Sequence, residues 1–207
     1  MVEVRGAYCT LNFVFRAPGR QRFIGTAGHC VPGPGGEEEY GERTWEPRRG
    51  PVAHDGEGTR IGRAAYAVLN GRQDFALIRL RPKLEASRRV CTYGGPTGIN
   101  ADTTPDTTIL HFHGKGAVAG ELAPARELVA FGMRDPDHVF ASGAATPGDS
   151  GAGVLSGDRR AVGVLVTLGI HSGRGEAGAV GITRLAPQLD RARRALDTRL
   201  RLLTTPQ

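Results

Sequence analysis

A chain of 207 residues with 39% hydrophobic and 23% charged residues is long enough for one large or two small globular domains with a proper core. Gly (31) and Pro (13) make about a fifth of it, below low-complexity levels, and three Cys exclude a dense disulfide framework. The formal charge of +6 is scattered Arg apart from a C-terminal cluster, and aromatics at 6% leave no basic–aromatic tract for nucleic acid.

In chain order, Met1 to Tyr8 carries neither the basic start nor the apolar run of a secretory signal. The chain is therefore either cytosolic or exported with its signal absent. Short apolar or alternating runs then recur between Gly/Pro turns: Thr10 to Arg16, Phe23 to Thr26, Arg63 to Leu69 and Phe75 to Leu80. The series continues with Thr108 to His113, Leu128 to Met133, Val154 and Leu155, Ala161 to Thr167, and Ala179 to Thr183. Such spacing predicts an all-β sandwich or barrel. The longest apolar stretch, Ala161 to Ile170, is about half of what a membrane-spanning helix needs, so no partner membrane is expected.

Three loops separate these runs. Val31 to Gly58 is long, polar and acidic in its first half, Glu37-Glu-Glu-Tyr-Gly-Glu, and is read as a solvated surface loop rather than a cation site. Arg81 to Pro105 is the best boundary between two halves, and Gly143 to Gly153 is the third loop. From Pro187 to Leu203, Leu189, Ala192, Leu196, Leu200 and Leu203 recur every three or four residues, which predicts an amphipathic helix docked on the barrels rather than on a membrane surface.

The chemistry-bearing residues fall in three strings. Pro147-Gly148-Asp149-Ser150-Gly151 sets a Ser among turn formers, where backbone can approach a substrate. A Ser hydroxyl needs a base with a pKa near the working pH, usually His. His29, in Thr26-Ala27-Gly28-His29-Cys30, ends an apolar strand beside a Cys; His54, His138 and His171 lie in polar loops, while His111 and His113 alternate along a strand and are read as structural rather than metal-binding. Asp74 opens the apolar run Asp74-Phe-Ala-Leu-Ile-Arg-Leu and can either orient a His or cap a turn.

These strings occur in the order His, Asp, Ser, and together they resemble the motifs of the chymotrypsin-like (trypsin-like, S1) serine endopeptidases. The compact bacterial streptogrisin and α-lytic protease branch is the most similar, with Cys9-Thr-Leu-Asn-Phe before the His motif and a likeness spanning about Cys9 to Arg194. The resemblance implies two six-stranded antiparallel β-barrels, residues 1–90 and 91–186, with a C-terminal helix over 187–203. It implies a nucleophile Ser150, a general base His29, an orienting Asp74, an oxyanion hole from the N–H groups of Gly148 and Ser150, and a Cys9–Cys30 disulfide.

That disulfide favours secretion, and no metal or organic cofactor is implied. Cys91 lacks a partner and is expected to be a buried free thiol. The residue six before the Ser is Ala144 where trypsin-like members carry Asp, so with Thr146 and the strand Val166, Thr167 and Leu168 the pocket is expected to take a medium or aromatic apolar side chain. An inward His171 would instead favour acidic side chains. The family usually reads Gly-Asp-Ser-Gly-Gly-Pro, whereas this chain reads Ser150-Gly151-Ala152-Gly153, and Lys115 is the expected cation for Asp149. The expectation is a monomeric, secreted endopeptidase acting on polypeptides, with a non-catalytic binding protein of the same fold as the rival.

Overall fold

The structure, a computed structural model, describes residues 1–33, 40–102, 104–116, 122–168 and 179–206. Its first half holds eight strands: Val2–Val4 (β1), Ala7–Cys9 (β2), Val14–Arg16 (β3), Arg22–Thr26 (β4), Gly41–Thr44 (β5), Val52–Asp55 (β6), Arg60–Leu69 (β7) and Asp74–Leu80 (β8). After the boundary loop come Gly98–Ile99 (β9), Asp106–His113 (β10), Ala125–Asp135 (β11), His138–Ser142 (β12), Gly153–Ser156 (β13), Arg160–Leu168 (β14) and Ala179–Arg184 (β15). A helix, Leu185–Ala195 (α1), and a short strand, Arg201–Leu202 (β16), complete the chain.

Two curved sheets form, as expected. In the second, β13, β10, β11, β12, β15 and β14 pair in turn and β13 pairs back onto β14, closing six antiparallel strands; β9 joins β14 in parallel. The first is a half-barrel, an open path β16–β3–β4–β8–β7–β6–β1–β2 with β5 on β7. The alternation in the sequence explains the faces: along β10, Leu110 and Phe112 are buried while Ile109 and the ring-bearing His111 and His113 face outward.

Two main cores result. One fills the closed barrel with Leu110, Phe112, Leu128, Val139, Val154 and Ile182. The other, around Phe15, Tyr66, Phe75 and Leu77, also takes in Leu155 and Val164 from the second sheet and Leu185, Leu189 and Leu200 from the C-terminal segment. Each fully buried Leu or Phe there contributes roughly 1.5–3 kcal/mol, so this shared core fixes one sheet against the other and keeps what lies between them in register.

Two expected elements differ. The helix begins at Leu185 and stops at Ala195, where Leu196 caps it and Asp197 takes a left-handed φ of 43°. Leu200 still reaches the core, because the chain then adds Arg201–Leu202 to β3, and Arg193 donates to the Leu200 carbonyl from Nε and Nη2 at 2.9 and 2.7 Å. Spacings of three or four residues are satisfied by this turn and strand as well as by a helix. The run Thr10 to Arg16 is a strand only from Val14; Thr10 and the Asn12 side chain instead bond to the loop that carries Ser150, as described below.

Candidate active site

His29 stands in a single 3-10 turn, Gly28–Cys30, directly after β4. Gly28 is required there: a Cβ would lie 2.0 Å from the Val68 carbonyl oxygen. Cys30 is bonded to Cys9 of β2, so the residue after His29 is tied to a second strand. On the other side the Tyr40 hydroxyl donates to the Gly28 carbonyl at 2.8 Å, and burial first, then the Asp74 charge, pushes that phenol far up.

Asp74 is delivered by the turn between β7 and β8. Asn70 Oδ1 accepts the N–H groups of Arg72 and Gln73 at 3.0 and 2.9 Å, an Asx turn that starts β8 at Asp74. The carboxylate grips the histidine twice: Oδ1 accepts the His29 main-chain N–H at 3.0 Å, and Oδ2 lies 2.6 Å from Nδ1. With its side chain only 14% exposed, the carboxylate is shielded, and a charge-assisted bond of that length holds the proton on Nδ1. Nε2 is then the basic nitrogen of the neutral ring.

The loop bearing Ser150 is pinned to the segment between β2 and β3. The Thr10 N–H donates to the Ser150 carbonyl at 2.7 Å, Thr10 Oγ1 to Gly148 O at 2.8 Å, and Asn12 Nδ2 to Gly151 O at 3.0 Å. At Gly151 (φ 91°) a Cβ would sit 2.4 Å from Thr26 Oγ1 and 3.1 Å from the Ala27 nitrogen, so Ser150 lies next to a residue pressed on the end of β4, just before His29. Gly148 is also left-handed at φ 95°, and neither its N–H nor that of Ser150 has an acceptor among the described residues.

Beneath the loop, Asp149 is fully buried, and its cation is not Lys115. Arg126 of β11 donates to it twice, Nη1 to Oδ2 and Nη2 to Oδ1, both at 2.6 Å, from a side chain that is 6% exposed. Gly116 N–H, Thr146 N–H and the Thr146 hydroxyl complete its shell at 2.8, 2.8 and 3.2 Å. Lys115 is exposed, and among the described residues it gives only its main-chain N–H, to Thr10 Oγ1 at 3.1 Å. A buried carboxylate needs a partner that is itself desolvated and forked; Arg on a barrel strand meets that demand, and a Lys on an exposed loop does not.

No family model matches the chain, and no curated protein matches it either. Solved structures do match over nearly the whole length. Protease A of Thermobifida fusca superposes with a TM-score of 0.63 at 19% identity, covering 98% of both chains. The chymotrypsin of Cellulomonas bogoriensis gives 0.59 at 19%, again over 98% of both, and a Nocardiopsis protease gives 0.59 at 19% over 98% of this chain and 97% of its own. The fold is that of the chymotrypsin-like serine proteases.

Within this chymotrypsin-like fold the remaining expectations fall unevenly. The Ala144 carbonyl accepts Arg126 Nη1 at 3.0 Å, and Thr146 brackets Asp149, so both also serve the buried ion pair. Val166 is 7% exposed and packs with the first core, while the side chains of Thr167 and Leu168 lie outside the described set, as do His171 and Glu37 to Glu39. Cys91 is free but exposed, not buried: it sits in a turn closed by the Val90–Gly94 bridge, where no apolar face covers it. His111 pairs with Glu127 at 3.4 Å and packs on Tyr93, with ring centroids 4.9 Å apart. The residue that sequence reading missed is Arg126; its signal was an Arg amid the strand pattern of Ala125–Asp135, whose inward face no alternation rule assigns to a charge.

Proposed function

We propose that the chain is a serine endopeptidase that cleaves polypeptides through an acyl-enzyme on Ser150. The observation that carries this reading is the double hold of Asp74 on His29, at 3.0 Å through the main chain and 2.6 Å through the ring. It fixes the tautomer in which Nε2 accepts the Ser150 proton as the hydroxyl attacks the scissile carbonyl. His29 then returns that proton to the leaving amine, and water repeats the sequence on the ester. The N–H groups of Gly148 and Ser150 would take the oxyanion, each donor being worth about 10²–10³ in rate. Arg126 and Asp149 hold that loop in shape.

Ala144 brings no charge to the expected pocket, so cleavage after medium or aromatic apolar residues is the specificity proposed, with Thr146, Val166, Thr167 and Leu168 as the other pocket residues. The Cys9–Cys30 bond suits an oxidising, extracellular setting. No metal or organic cofactor has a part in this chemistry. A fluorophosphonate probe tests the reading: the folded chain is expected to be labelled and Ser150→Ala not, with peptide-library cleavage reporting the pocket. Absence of label on the folded chain, or equal label on Ser150→Ala, would leave a binding protein of this fold.

A further inference from the structure

At the far end of β4 from His29, three arginines stand in one cross-strand row. Arg201 of β16 is directly opposite Arg16 of β3, and Arg16 is directly opposite Arg22 of β4. Opposed residues share a face, and strands are spaced about 4.8 Å apart, so three like charges lie along roughly 10 Å. Such opposition is unfavourable unless something outside the chain compensates it. None of the three has a carboxylate within ion-pair distance among the described residues.

The row borders two shallow clefts, of about 240 and 440 Å³, that meet at Arg16. Arg199 and Arg201 edge the first; Arg20, Arg22 and Arg88 edge the second, where Glu85 is the one acidic residue. Their other walls are apolar or small, namely Ala17, Pro18, Ala86 and Leu203. The nearest rings, Phe15 and Phe23, are buried beneath the row at 0% and 2% exposure, so no aromatic platform is offered to nucleobases. Guanidinium forks match carboxylates in pairs, and the apolar walls suit the methylene stems of glutamates.

We propose that this face is a docking site for an acidic polypeptide segment, a run of Glu or Asp on a protein partner, held apart from the candidate active site. The long-range field steers such a segment and salt screens it. The site stands or falls independently of catalysis, because binding is read on a chain with the serine removed.

The test uses fluorescein-labelled hexaglutamate and the Ser150→Ala chain, followed by fluorescence anisotropy at about 20 mM and about 300 mM salt. Saturable binding is expected at low salt, weakening at least about tenfold at high salt. The triple variant Arg16→Gln, Arg22→Gln, Arg201→Gln is expected to lose about tenfold or more in affinity and to melt no lower than its parent, since repulsion is relieved. Arg48→Gln, in the turn between β5 and β6, and Arg60→Gln, at the start of β7, are expected to bind as the parent does. If the triple variant does not fold, Arg22→Gln alone is expected to weaken binding about threefold. Absence of saturable binding, or unchanged affinity in the folded variants, overturns the proposal. So does tighter binding of a single-stranded oligonucleotide of equal charge, which would make the face a nucleic-acid site.

Discussion

Arg126 clasps Asp149, the residue immediately before Ser150, through two parallel bonds of 2.6 Å in a site with almost no solvent. Removing one member of a buried pair leaves the other charged and unsolvated, at about 3–5 kcal/mol. Arg126→Met is therefore expected to lower the melting temperature by roughly 10 °C in a domain of this size. It should also abolish fluorophosphonate labelling, because Asp149 can no longer brace the loop. Lys115→Met, on the exposed neighbour, is expected to change neither. Calorimetry and probe labelling of the two variants side by side check this, and a silent Arg126→Met would refute it.

The Cys9–Cys30 bond closes a segment with a sequence separation of 21, which in the chain-entropy account is worth about 3 kcal/mol. Replacing both with Ala is expected to lower denaturant stability by about that amount. Activity should fall more than stability alone explains, since Cys30 anchors the turn that carries His29. Cys91→Ser is expected to be silent on both counts because that thiol is exposed and unpaired.

Much of this was legible beforehand, for reasons that differ by residue. The strand content and the barrel pattern follow from period-two burial, as along β12, where Val139 and Ala141 are buried between partly exposed neighbours. The motif strings marked His29, Asp74 and Ser150 because glycines, a Cys and a strand-opening carboxylate left a local signature. Arg126 left only a charge within a strand run and Thr10 no sign, because their partners, Asp149 and the loop around Ser150, are far away in sequence. Asn70 differs: its Asx turn onto Arg72 and Gln73 is local, and Asn70-Gly71 ahead of a strand is a turn signal of its own. The same blindness extended the expected helix to Leu203, whereas it ends at Ala195 and Leu200 meets the core just before a returning strand that only the tertiary fold supplies.

His113 supplies a pH dependence. Its pKa lies below the ordinary 6.5, first through burial and then through the positive charges of Lys115, Arg126 and the chain's amino terminus, with Asp149 opposing them. The Thr92 hydroxyl sits 3.3 Å from its Nδ1. A group that binds fewer protons when folded contributes stability above its unfolded pKa and loses it as pH falls. Melting temperature is thus expected to drop as pH is lowered from about 6.5, and His113→Gln to remove part of that slope. A variant whose pH profile parallels the parent's over that window would contradict this.

Two left-handed glycines separate backbone strain from crowding. Gly19 (φ 69°) has nothing within 4 Å of where a Cβ would stand, whereas at Gly151 (φ 91°) a Cβ would lie 2.2 Å from the Thr10 oxygen. Gly19→Ala should then lose only about 1 kcal/mol, the left-handed penalty. Gly151→Ala must in addition push the loop off β4 and is expected to lose several times more, roughly 3 kcal/mol, along with probe labelling. Equal losses at the two positions, measured by denaturant unfolding, would show that the loop is not pressed on the strand.

Asp74→Asn isolates the tautomer. In the native pair Oδ1 accepts the His29 main-chain N–H, so an asparagine is expected to keep its carbonyl on that donor and turn its amide nitrogen toward Nδ1. An amide N–H facing Nδ1 needs a lone pair there, which moves the ring proton to Nε2, the nitrogen that in the proposed mechanism accepts from Ser150. The fold and the disulfide are untouched, so melting should change little while kcat falls by about 10⁴. Asp74→Ala removes the hold without imposing the wrong tautomer, and comparing the two variants separates orientation from proton placement. Retention of kcat within about tenfold in Asp74→Asn would mean that His29 does not depend on this carboxylate, and the catalytic reading would lose its orienting group.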